Sequence, residues 1–167
     1  KAGQTLDLKL VPAEIRDPIR KKAKRQTTRM LDRYIDGRLG LIFDTTSANS
    51  SKIKSYLSML NNLGYESKMI YVSTSLDNAK KRNNMRPRKL PDAIVEKDWH
   101  NSQKNIAIMK KMFGKDFVQV TNDDDLSSLQ KKTNSLFSKL MSWTTSFPNN
   151  KKSSLWKQRQ ILTKKYK

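Results

Sequence analysis

A chain of 167 residues has room for one modest core and a tail; with no cysteine, it can hold neither a disulfide framework nor a thiolate metal site. The formal charge is +20, from 35 Lys+Arg against 15 Asp+Glu, and residues 126–167 carry ten of the basic groups and none of the acidic ones. Such asymmetry points to a polyanion, with nucleic acid the first candidate and an acidic membrane surface the second; the expected partner is nucleic acid or an acidic protein surface and not a membrane, since no apolar run approaches the ~20 residues that span a bilayer and no secretory signal is visible.

Residues 1–16 read as a lead-in segment, and the chain starts at Lys1 rather than Met, as in a processed or truncated product with further motifs upstream. Asp17-Pro18 predicts a helix start, with Asp as cap and Pro in the first helical position. Ile19, Ala23, Met30, Leu31, Tyr34 and Ile35 form its apolar stripe, and Gly37 stops it. The other face, from Arg20 to Arg29, reads as solvated basic surface. The run Leu39 to Thr45 is almost continuously apolar, as in a strand buried on both faces, and it closes on Asp44-Thr45-Thr46.

Asn49 or Ser50 caps a helix that ends at Gly64, and residues 67–73 make a second strand. Ser75 opens a helix that runs through Leu76 and Ala79 into the cluster Arg82-Asn83-Asn84-Met85-Arg86-Pro87-Arg88. A long helix follows from Asp92 to Phe113, ended by Gly114, then a third strand over 116–121 and an amphipathic helix from Leu126 to Met141. Pro148-Asn149-Asn150 is a break before a basic helical tail. The alternation predicts a three-layer α/β domain over residues 17–141, with a parallel sheet incomplete on its N-terminal side, and a tail over 142–167.

Ligands of open α/β sheets sit beyond the carboxyl ends of the strands. Asp44 is therefore the candidate catalytic group: a carboxylate there holds magnesium through water or accepts a proton from a substrate hydroxyl. The hydroxyls of Thr45 and Thr46 suit phosphate oxygens, although many buried strands end in Asp for turn or capping reasons. Arg82, Arg86 and Arg88 place three guanidinium forks within seven residues, which suits a dense anion such as a triphosphate. A solvated basic patch is the competing explanation. In the tail, Lys151, Lys152, Lys157, Arg159, Lys164 and Lys165 surround Trp156 and Tyr166, a mixture that fits polyanion binding and equally fits a tail docked on its own domain. The single histidine, His100, is assigned no role, and no metal site is expected.

Taken in order, Gly37 to Thr46, Leu63-Gly64-Tyr65-Glu66, Val72 to Leu76 through Ala79, Arg82-Asn83, Arg86-Pro87-Arg88, Leu90-Pro91, Trp99, Gln103-Lys104-Asn105 and Phe113 to Phe117 resemble zeta-toxin-like P-loop kinases, especially those of tailed bacteriophages. The likeness covers roughly residues 14–122. It implies a nucleotide-kinase type of fold, with Arg82, Arg86 and Arg88 in a lid over ATP phosphates and a substrate-side role for Asp44 and Thr46. It implies ATP and Mg as cofactors where a phosphate-cradling loop lies upstream. It also implies a setting in the bacterial host cytoplasm or the virion, with virion subunits as partners. Two departures stand out. No G-x-x-x-x-G-K-[ST] occurs in the sequence, and Thr45 stands where members commonly carry glycine. The leading expectation is accordingly a degenerate, non-catalytic, phage-associated structural or binding protein with a polyanion-binding surface. The alternative is a fragment of an ATP-dependent nucleotide or small-molecule kinase completed by an upstream loop segment.

Overall fold

A computed structural model of the chain describes residues 12–87, 89–123 and 125–165. Their order is α1 (Ala13–Asp36), α2 (Ser50–Leu63), β1 (Met69–Ser73), α3 (Leu76–Met85), α4 (Asp92–Phe113), β2 (Phe117–Thr121), α5 (Leu126–Thr145) and α6 (Lys151–Lys165). The two strands pair in parallel, Met69 opposite Phe117 through Ser73 opposite Thr121, and α3 and α4 form the crossover between them.

Most helix ends follow from local chemistry. The Asn49 side chain accepts from the Lys52 amide at 2.9 Å, and the Ser75 side chain from the Asn78 amide at 3.3 Å, each satisfying one of the orphan donors of a first turn. Gly64 ends α2 in the left-handed region at φ 89. The start of α1 departs from expectation: the helix begins at Ala13, and Pro18 lies inside it. Proline this close to an N-terminus forfeits one hydrogen bond, to the Glu14 carbonyl, and the helix accommodates that loss.

The larger correction concerns residues 39–45, which form no strand. Apolar continuity signals burial, but a strand also needs a ladder partner, and the described residues supply none. Ile42 is 99 % exposed, while Leu41 and Phe43 are half-buried, the Phe43 ring 4.8 Å from that of Tyr56. Two non-glycine residues with positive φ, Arg38 at 54 and Ser47 at 59, bracket the stretch as turns. Among the described residues the sheet therefore has two strands, each of them an edge.

Its faces are unequal. Tyr71 is buried and lies 6.2 Å from Phe117 on the same face, whereas Ile70 and Val72 on the other remain 39 % and 58 % exposed. Parallel strands are normally covered on both sides, and here the second layer is largely open. Ile53 and Leu60 of α2, Tyr71 of β1 and Met109 of α4 are the buried apolar side chains among the described residues. Lys80 pairs with Glu96 at 2.9 Å between α3 and α4, and Lys68 pairs with Asp116 while its ammonium lies 5.1 Å from the Trp143 ring of α5.

The C-terminal helix docks on the end of α2. Glu66 accepts from the amides of Asn149 and Asn150 just ahead of α6, where a carboxylate complements the positive end of the helix. The Asn150 side chain donates to the Gly64 carbonyl at 2.7 Å, and the Ser153 hydroxyl donates to the same oxygen.

Candidate phosphate-binding site

One face of α4 holds two loops together. Trp99, Ser102 and Asn105 follow at helical spacing and so share that face. The Trp99 Nε1–H donates to the Thr74 carbonyl at 2.8 Å, just past the carboxyl end of β1. The Ser102 hydroxyl donates to the Thr46 carbonyl at 2.5 Å, and the Asn105 side chain to the Ser47 carbonyl at 3.0 Å. Six residues of helix rise about 9 Å, so the 44–47 loop and the β1–α3 turn lie side by side although the first is not part of the sheet. Asp44, Thr45 and Thr46 are exposed there, and Ser47 beneath them is buried. The Thr45 hydroxyl accepts from the Ser47 amide at 3.4 Å, so it serves its own loop.

Asp123 was not singled out from the sequence, yet it organises the end of the sheet. Its carboxylate accepts from the Thr74 hydroxyl at 2.5 Å, the Ser75 amide at 2.7 Å and the Asn78 side chain at 2.8 Å. Arg82 lies near enough to interact with it, and its Nη2 donates to the Asn122 carbonyl at 2.6 Å. The sequence signal is an acid directly after the β2 strand, in Asn122-Asp123-Asp124-Asp125. Its partners lie in a turn 45 to 49 residues away, which sequence spacing does not reveal.

The bonds from Thr74 and Asn78 hold the Asp123 carboxyl below the ordinary aspartate value of 3.8 against an opposing desolvation, with lesser help from the Ser75 amide and the Arg82 charge. Asp125, the cap of α5, is lowered by its bonds to Ser128 and Ser127. A carboxyl depressed on folding contributes stability above its unfolded pKa and loses that contribution as pH falls through the folded value. Stability should therefore be level above about pH 5 and decline below about pH 4. Urea titrations from pH 7 to pH 2.5 measure this, and in Asp123→Asn the acid limb should be shallower; an unchanged limb would remove Asp123 as its source.

The arginines divide. Arg82 is half-buried and engaged with the chain, whereas Arg86 is exposed where α3 ends. Arg88 lies outside the described residues. The buried Asn83 fixes the turn beyond Arg86, its Oδ1 accepting from the Leu90 amide and its Nδ2 donating to the Leu90 carbonyl, both at 2.9 Å.

Two of the tail cations make contacts within the chain. Lys152 donates to the Asn62 carbonyl at 2.7 Å, and Lys157 lies 4.9 Å from the Phe147 ring. Lys151 and Arg159 are exposed; the side chains of Lys164 and Lys165 lie outside the described ones. Among the described residues no three acidic or histidine groups gather as a metal site, and no helix is long and apolar enough to cross a membrane.

A parallel strand pair with helical crossover, carrying cations and hydroxyls at the strands' carboxyl ends, is consistent with a P-loop kinase-like fold. Residues 11–135 match the family model described as Zeta toxin, so the chain belongs to that family. No curated protein and no solved structure matches it.

Proposed function

We propose that the chain works as the acceptor and lid side of a zeta-toxin-type kinase. Arg86 and the free N–H groups of Arg82 bind the phosphates of a nucleoside triphosphate, and Asp44 accepts the proton of the acceptor hydroxyl. The observation that carries this is the α4 clamp: Trp99, Ser102 and Asn105 hold the Asp44 loop beside the turn from which α3 leads to the arginines. Phosphoryl transfer depends on positioning and charge more than on covalent chemistry by the protein, and a carboxylate on the clamped loop together with the guanidinium forks on α3 and at its end serves both on one side of the reaction.

ATP fits these donors by charge and fork geometry. Magnesium fits less well: Asp44 is one carboxylate, and the described residues gather no three-ligand site. The kinase reading also calls for a phosphate-cradling loop, which these 167 residues do not contain. Calorimetry with ATP on the chain tests the phosphate site. Binding should be weakened about tenfold or more by Arg86→Ala, the loss of one charge-assisted pair. No detectable ATP binding, or binding indifferent to Arg86, would defeat the proposal.

A second reading is a non-catalytic binding or structural role in a bacteriophage setting, in the virion or the host cytoplasm. The open sheet face at Ile70 and Val72 favours it, because such a surface is suited to a neighbouring subunit. Failure to bind ATP together with concentration-dependent self-association would favour this reading over the first.

A further inference from the structure

Outside the site just described, α1 has the least explained surface of the described residues. It is 24 residues long and buries none of them. At 100° per residue, Lys22, Arg25, Arg29 and Arg33 fall within an arc of about 80°. Arg20 and Lys24 lie on the far side, and Lys21 falls on the back of the helix between the two groups. None of these seven cations is ion-paired, and Asp32 and Asp36 stay outside pairing distance of Arg29 and Arg33. Between the two cationic flanks runs a strip bearing Ile19, Ala23, Gln26, Thr27 and Met30; Ile19 is 48 % and Met30 43 % exposed.

We infer that α1 is a duplex-DNA-binding helix that enters the major groove, its two cationic flanks meeting the phosphates of the two groove walls and its central strip facing the base edges. The dimensions agree. A helix with side chains is about 10–12 Å across and the major groove of B-form DNA about 12 Å wide. The cationic part, residues 20 to 33, extends about 20 Å. Three of the four cations in the first flank are arginines, whose forks match phosphate oxygens. The strip offers methyl-bearing and amide side chains, which contact thymine methyls and adenine edges. An anionic membrane fits less well, because Arg20 and Lys24 interrupt the side opposite the first flank and leave no broad apolar face to insert. This binding does not depend on the kinase site, and it moves the polyanion surface from the tail to α1.

The test is fluorescence anisotropy of the full chain with a 20-bp DNA duplex, titrated between 50 and 200 mM salt. Changing Lys22, Arg25, Arg29 and Arg33 together to Gln should flatten the log–log salt slope by about 3.6, four phosphates at about 0.9 each. Equivalently, about 10²-fold of salt-sensitive affinity disappears over that range. Because none of the four side chains is bonded to the chain, circular dichroism of the variant should match the parent. Changing Lys151, Lys152, Lys157 and Arg159 to Gln should move the slope by less. The inference is overturned if the α1 variant keeps the parental slope, or if the tail variant accounts for it. Equal affinity for duplex RNA, whose deep and narrow major groove admits no helix, also overturns it, as does preference for phosphatidylserine vesicles.

Discussion

Met109→Ala should lower unfolding free energy by about 2–5 kcal/mol, the range for truncating a buried long side chain where the surroundings close only in part. Met109 is 0 % exposed, on the α4 face that meets the rest of the body, and few other apolar side chains are buried with it. A small core has little surplus with which to absorb a cavity. Urea unfolding followed by tryptophan fluorescence measures the loss, and Trp99 on the same helix should report it. A change below about 1 kcal/mol would place Met109 outside the cooperative core.

Gly64→Ala should have the next largest effect, and for two separable reasons. The position has φ 89, which costs a side-chain-bearing residue about 1–2 kcal/mol. An added Cβ would also lie 2.8 Å from the Lys152 Cβ, so α6 must move away. Together these should release α6, seen as faster tryptic cleavage after Lys151, Lys152 and Lys157. Ser153→Ala isolates the docking contribution, since it removes a hydroxyl donated to the Gly64 carbonyl and leaves the backbone angle alone. If Gly64→Ala protects those lysines as well as the parent does, α6 does not depend on the close approach at Gly64.

The contrast between these two sites shows what the sequence made legible. The stops at Gly64 and Gly114 and the caps at Asn49 and Ser75 are readable because each acts within four residues of itself. The approach of Lys152 to Gly64, 88 positions away, is invisible at that range, and so is the service of Asp123 to Thr74. Residues 39–45 failed for a related reason. Their apolar run says that they avoid water, but only the neighbouring chain decides whether they pair, and the described neighbours do not. Pro18 misplaced the start of α1 because the helix accepts the loss of one hydrogen bond there and continues back to Ala13. Of the candidate site, Asp44 and the arginines were readable from chemistry. Their positioning by Trp99, Ser102 and Asn105 was not, because those side chains belong to a helix that spacing alone leaves free to face anywhere.

The two bonds between Asn83 and Leu90 have a thermodynamic side as well. They imitate the paired bonds of two backbone groups, so the turn carrying Arg86 begins and ends at fixed points before any ligand arrives. The entropy of closing that loop is spent on folding rather than on binding. An anion meeting Arg86 then has only a side chain to immobilise.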